Sequence, residues 1–320
     1  MHPKTLLALA LIMGILSLIA IQYDFFISTG NNPFIQTAIV NTSSYYPDNP
    51  VWKDKALYYT EYTRDRVMVR DGRGNTELWR ESGCGPRALA FLSDKLLVAC
   101  HDSDSLVELS AGGAITRRIT ADCEGTALTG PREMARDDHG GIYLVNTVPH
   151  SGTRSPVGRI SYINSEGIVQ PTGVTVNDPG GITVVPRNNS LLVSEKSENR
   201  LVKFDVKAAG VLAGKRVFIR LSEVTAAPEG MDRNAGPDGL AVDSGGDLFV
   251  CHSGASRVLV IGPEGDLLQI IKTSLPNVTG LAFGRLDNVI YVTAVSGFSE
   301  PPYTGAVFEY TRKRTRQVAR

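Results

Sequence analysis

The chain has 320 residues, with 33 basic and 33 acidic side chains and therefore no formal net charge. That balance excludes the basic footprint of a nucleic-acid-binding domain and the composition of an acidic tail. A hydrophobic content of 42% combined with 32 glycines fits a sizeable core cut by many turns, as an all-β repeat protein needs.

At the N-terminus, Met1-His2-Pro3-Lys4 precedes an uncharged run from Thr5 to Ile21, and the first acid is Asp24. Residues 1–30 are expected to form a hydrophobic helix that targets or anchors the chain. No Ala-x-Ala site follows the run, and Ser28-Thr29-Gly30 lies well beyond it, which favours an uncleaved signal anchor; a cleaved signal peptide stays open. Lys4 on the short leading side keeps that end cytoplasmic and puts the remainder outside, membrane-anchored, or secreted or periplasmic if the signal is cleaved.

Residues 31–320 read as one domain. Phe34 to Val40, within a strand-like stretch near 33–42, has no hairpin partner of its own. Beyond it one pattern recurs, clearest in Gly236-Pro237-Asp238-Gly239-Leu240-Ala241-Val242, the turn Asp243-Ser244-Gly245-Gly246-Asp247, and Leu248-Phe249-Val250-Cys251. A turn dipeptide, an apolar run, a tight turn and a second apolar run make a β-hairpin. Looser copies begin at Asp48, Gly85, Gly130, Pro179 and Val278, and a third short strand follows each, such as Arg66–Val69, Arg200–Phe204 and Arg257–Ile261. Six units of about 40 to 50 residues with four short strands each predict a six-bladed β-propeller of antiparallel blades. The sixth unit lacks a fourth strand, because after Tyr310 the chain becomes a basic tail, residues 311–320. The run near 33–42 is the candidate clasp that closes the ring.

Strand parity places the starts of the inner strands and the turns after the second strands on one face. The long insertions Asn146 to Gly158, Ser222 to Ala235 and Ala294 to Gly305 share that face, and long loops on a rigid scaffold carry binding. Glu61, His101, Glu195 and His252 follow second strands and are candidate substrate-binding residues at the same rim, with a solvated loop residue as the alternative. Among the four cysteines, Cys100 and Cys251 read as small packing residues at equivalent strand ends, and Cys84 with Cys123 is the candidate disulfide. Asn41-Thr42-Ser43, Asn188-Asn189-Ser190 and Asn277-Val278-Thr279 fit the N-glycosylation pattern. Gly210 to Arg216 superficially resembles a phosphate loop but is one residue short and reads as a turn.

Residues at the starts of the inner strands converge on the axis: Asp48, Arg87, Arg132 with Glu133, Gly180, Asp238 and Thr279. Convergent carboxylates suit a hard cation, which wants several oxygen ligands. The repeated Pro-x-Gly-Leu-Ala-Val-Asp-x-x-Gly-x-Leu-Phe-Val hairpins, with Pro237-Asp238-Gly239 in the fifth unit, resemble the gluconolactonase and regucalcin family over roughly Asp48 to Tyr310; strictosidine-synthase-like propellers are a secondary resemblance. The resemblance implies a metal-dependent lactonase with calcium or zinc at the channel mouth. Asp238 matches the family's Asp ligand and catalytic base, and Asp48 stands near its glutamate ligand. Two positions depart: the family's asparagines in the third and fourth units fall on Arg132 and Gly180, with Asn177 and Asp178 just upstream of the latter.

Two functions follow. One is an exported or membrane-anchored lactonase-type hydrolase of a small cyclic ester, with Asp238 catalytic, Asp48 and Asp238 as metal ligands, and Arg87, Arg132 and Glu133 binding substrate. The alternative is a non-catalytic propeller that binds a small molecule or a protein through its rim loops. A small-molecule ligand and, through the N-terminal segment, a membrane are the expected partners.

Overall fold

The computed structural model describes residues 33–148, 157–185, 189–228, 231 and 235–313. The N-terminal helix, the membrane anchor and the sequon at Asn188 lie outside the described residues. Among these residues no helix is long and apolar enough to cross a membrane.

Six four-stranded antiparallel sheets form the molecule, each a blade of a β-propeller. The inner strands are Pro47–Lys53, Pro86–Leu92, Pro131–Arg136, Pro179–Val185, Gly236–Val242 and Asn277–Phe283, in blades 1 to 6. Each begins at the upper face and ends at the lower one. Middle strands such as Lys95–Cys100 and Leu248–Ser253 are buried along nearly their whole length, which accounts for their continuous apolar sequence. Outer strands such as Ile115–Ile119 are mostly exposed.

Hairpin turns are fixed by aspartates. Asp243 Oδ1 accepts from the amides of Gly245 and Asp247, both at 2.9 Å. Asp137 repeats the arrangement in blade 3, accepting from His139 at 2.9 Å and Gly141 at 2.7 Å. This Asx geometry is what the Asp-x-x-Gly spacing of the repeats encodes.

The apolar core lies between blades, not at the axis. One cluster joins Tyr143, Val145 and Ile160 of blade 3 to Ile182, Leu191 and Phe204 of blade 4. Each of the other five clusters likewise joins two neighbouring blades. Phe34–Tyr45 is the outer strand of blade 6, paired antiparallel with Thr304–Arg312. Phe34 is buried against Phe249 of blade 5 and lies under the Arg312 guanidinium. Thr311 and Arg312, expected in the basic tail, instead finish this strand, and the tail beyond residue 313 lies outside the described residues.

Two cysteine expectations are corrected. Cys84 bonds to Cys100, 16 residues away with Cα atoms 4.6 Å apart, so Cys100 is no packing residue and Cys123 is free and exposed. The pairing is local: Cys84 precedes the inner strand of blade 2, and Cys100 ends the strand hydrogen-bonded to it. Closing a loop of that size stabilises by about 3 kcal/mol. Cys251 is free and buried. The segment Gly210 to Arg216 is also revised. The turn is at Ala209-Gly210, and Val211–Arg220 is a strand in which Gly214 takes a left-handed φ of 64°.

Truncation tests the closure. Deleting residues 1–28 leaves a folded ring, whereas deleting 1–42 removes most of the strand that completes blade 6 and lowers the thermal midpoint by about 10 °C or more. Equal midpoints for the two truncations, read by circular dichroism, would contradict this.

Candidate functional site

The upper mouth of the ring holds three buried carboxylates and three cations. Asp48, Glu133 and Asp238 are 2%, 3% and 5% exposed. Burial raises the Asp48 carboxyl above its usual range against the pull of Arg87. Glu133 is pushed well above the ordinary range by burial and then by repulsion from Asp48. Its Oε2 accepts from Asn49 Nδ2 at 3.0 Å, so blades 1 and 3 are tied across the axis.

The cations reach between these acids. Arg87 Nη2 is 3.3 Å from Asp48 Oδ2, and its guanidinium lies 4.7 Å and 5.2 Å from the ring centres of Tyr46 and Tyr62. Burial opposes its charge, yet Tyr46 and Asp48 outweigh that and keep Arg87 firmly protonated. Lys196 Nζ is 2.8 Å from Asp238 Oδ2, and Arg132 Nη2 is 3.9 Å from Asp238 Oδ1. Sequence reasoning missed Lys196; its signal was the slot after a second strand, which also brings His101 to the mouth.

Glycines let the inner strands approach. A Cβ on Gly180 would lie 2.7 Å from the carbonyl oxygen of Pro237 and 3.0 Å from the Cα of Asp238. One on Gly181 would lie 2.4 Å from the Asp238 carbonyl, and one on Gly239 2.6 Å from that of Thr279. An asparagine at position 180, as the family resemblance led one to expect, has no room here. Asn177, the nearby substitute, donates to Glu198 at 2.7 Å instead.

The rim candidates separate into two kinds. Glu61 is fully buried and bound by Arg66 Nη2 at 2.6 Å and Ser44 Oγ at 2.6 Å. Glu195 is fully buried between Arg200 and Lys215, at 2.5 Å and 2.9 Å. Both carboxylates are thus engaged in fastening the second strand of a blade to its outer neighbours, and the structure does not bring them to the central cluster. His252 Nδ1 accepts from Arg257 Nε at 3.2 Å. Burial, then Arg257 and Lys196, lower its pKa to about 3, so the ring is neutral. His101 has no arginine at the matching position; burial and then Arg87 lower its pKa.

Several buried polar atoms about this mouth have no hydrogen-bond partner among the described residues: His101 Nδ1, Arg132 Nε, Asn146 Oδ1, Thr147 Oγ1 and His252 Nε2. Buried polar atoms are ordinarily satisfied, so this set departs from the rest of the core.

The residues do not fit a divalent ion. Among the described residues no group of three or more His, Cys, Asp or Glu side chains is arranged to hold a metal. The two carboxylates expected as ligands, Asp48 and Asp238, are paired with Arg87, Lys196 and Arg132. A divalent ion about 4 Å from one guanidinium is opposed by about 8 kcal/mol at an effective dielectric near 20, comparable with the whole binding free energy of a micromolar site.

Glu133 makes the cluster pH-sensitive. A carboxyl whose pKa rises on folding binds more protons folded than unfolded, so stability falls as pH climbs from the ordinary value of 4.5 through the raised one. The thermal midpoint is expected to fall as pH rises above the ordinary carboxyl value of 4.5, and Glu133→Gln, which keeps an acceptor for Asn49, flattens that slope. An unchanged slope in the variant would place the titration elsewhere.

The profile of the SMP-30/Gluconolactonase/LRE-like region matches residues 46–296. Regucalcin from Gallus gallus is 34% identical over 83 residues, 23% of this chain and 28% of that protein. A gluconolactonase structure from Xanthomonas campestris is 17% identical, with a TM-score of 0.70 over 90% of this chain and 92% of that one. The calcium-binding regucalcin of Agrobacterium tumefaciens is 18% identical, with a TM-score of 0.69 over 89% and 96% of the two chains. By the extent of the profile match, the chain belongs to the SMP-30/Gluconolactonase/LRE-like region family.

Proposed function

We propose that the protein is a lactonase-type hydrolase that opens a small cyclic ester at the upper mouth, with cationic side chains where relatives use a metal. The observation that carries this reading is the Asp238–Lys196 pair at 2.8 Å, beside orphaned polar atoms that a polar substrate would satisfy. In this reading Asp238 takes a proton from water as the water oxygen attacks the ester carbonyl. Arg132 and Lys196 face the carbonyl oxygen and stabilise its developing charge. Lys196 then protonates the departing ring oxygen, and the proton on Asp238 returns to Lys196, leaving both groups as they began. Because the mouth carries Arg87, Arg132 and Lys196, substrates bearing a carboxylate are favoured over neutral ones.

The alternative, a non-catalytic binding propeller, draws support from the same neutralisation: the two carboxylates expected as metal ligands each already have a cation. We also propose that the propeller lies outside the cytoplasm, anchored or secreted. The support is the uncharged run after Lys4 and the Cys84–Cys100 disulfide, a bond that persists in oxidising compartments.

Hydrolysis of five- and six-membered lactones, with and without a carboxylate substituent, tests the enzymatic reading. The wild-type protein turns over the acidic lactones, and Asp238→Asn lowers the rate by about a hundredfold or more. Undiminished turnover in that variant would remove Asp238 from its role. Acidic lactones that raise the thermal midpoint without being hydrolysed would favour the binding reading.

A further inference from the structure

The central channel continues below the charged cluster as a separate cavity of about 320 Å³, lined by inner-strand residues of all six blades. Its size is at the small end of pockets that hold small molecules, about 300–1,000 Å³. Its wall is mixed, with Trp52, Phe91, Met134 and Leu240 as its larger apolar side chains and Asn49, Lys53, Glu133 and Arg136 as its polar ones. Trp52 is held flat against Tyr291, ring centres 5.3 Å apart at an angle of 8°, which fixes the orientation of its ring. Gly239 and Gly280 contribute to the wall, at the height where the strands of blades 5, 6 and 1 come closest.

The two ends differ in chemistry. At the inner end are Asn49 and Glu133, and the same cavity is lined by Lys53 and Arg136 at the lower ends of their strands. Lys53 is paired with Asp94 at 3.0 Å and sits over Phe91. Arg136 is exposed and its side chain makes no hydrogen bond or ion pair among the described residues, so its guanidinium is available to an anion entering from the lower face. Glu133 and Arg136 are three residues apart on one strand, which separates their backbones by about 10 Å.

We infer that the lower channel is a binding site for a small aromatic monocarboxylate, its carboxylate at Arg136, its ring beside Trp52 and Phe91, and an oxygen at its far end bonded to Glu133. Glu133 has a second carboxyl oxygen beyond the one that Asn49 occupies, which leaves a polar atom for the ligand's oxygen at the inner end. Aromatic walls favour a flat body with few rotatable bonds, since little conformational freedom is then lost on binding. The site opens on the face opposite the proposed hydrolase mouth, shares Glu133 with the charged cluster between them, and does not require that the mouth hydrolyse a lactone.

The probe is 3-(4-hydroxyphenyl)propanoate, titrated into the detergent-solubilised full-length protein by calorimetry and by tryptophan fluorescence. Saturable binding at about millimolar or tighter is expected, with a change in emission, because Trp52 lines the cavity whereas the other tryptophan, Trp79, is in an outer strand. Arg136→Ala weakens binding about tenfold while leaving lactone turnover and the thermal midpoint unchanged. 2-(4-Hydroxyphenyl)ethylamine, which reverses the charge, does not bind. Equal affinity for the amine, no loss in Arg136→Ala, or tighter binding of octanoate than of the aromatic acid would each overturn the assignment.

Discussion

The structure depends on burying three carboxylates at the axis of the ring. Asp48, Glu133 and Asp238 raise one another's energy, and in a low-dielectric setting that arrangement is unstable unless charge enters between them or protons stay on. Both remedies operate: Arg87, Lys196 and Arg132 reach in, and burial with the neighbouring Asp48 raises the Glu133 pKa well above its ordinary value. The links cross blades, joining 1 to 2, 4 to 5, 3 to 5 and, through Asn49, 1 to 3. Buried pairs of this kind contribute little net stability compared with apolar replacements; their effect here is to fix which inner strands face one another.

The same cluster separates the channel into two compartments with opposite chemistry. Above it the side chains are polar and several have unmet hydrogen-bonding capacity; below it apolar and aromatic side chains enter the wall beside Lys53 and Arg136. The division depends on glycine as much as on charge. At Gly180, Gly181 and Gly239 an added methyl would fall within 3.0 Å of the next blade's backbone, and Gly280 would meet Asn49 at the same limit. The asparagine that the family resemblance implied at position 180 would meet the next blade's backbone, and Lys196 places a polar group on that side.

Much of this was legible in the sequence because propeller blades are local. Hairpins, Asp-fixed turns and the third strands are encoded within about ten residues, and the unpaired run at Phe34 with the missing sixth fourth strand pointed to closure. What was not legible involved contacts that strand-end turns create. Glu61, Glu195 and His252 looked alike as rim residues, yet each has an arginine five positions later, and across the intervening turn that spacing makes a partner of it. His101 lacks that arginine and keeps an unpartnered nitrogen. Lys196 escaped notice because its neighbour is Asp238, 42 residues on, and Cys84 was matched with the wrong cysteine because register, not spacing, sets Cα distances. Asn41 and Asn277 match a glycosylation pattern, but one donates to Tyr59 at 2.9 Å and the other is buried.

The central claim is that side-chain cations occupy the place of a metal, and calorimetric titration of calcium and zinc tests it most directly. The account predicts no saturable uptake by the wild-type protein up to about millimolar metal, and measurable uptake once Arg132→Asn and Lys196→Asn together free the carboxylates. Micromolar binding by the unaltered protein, with no gain in the double variant, would contradict it.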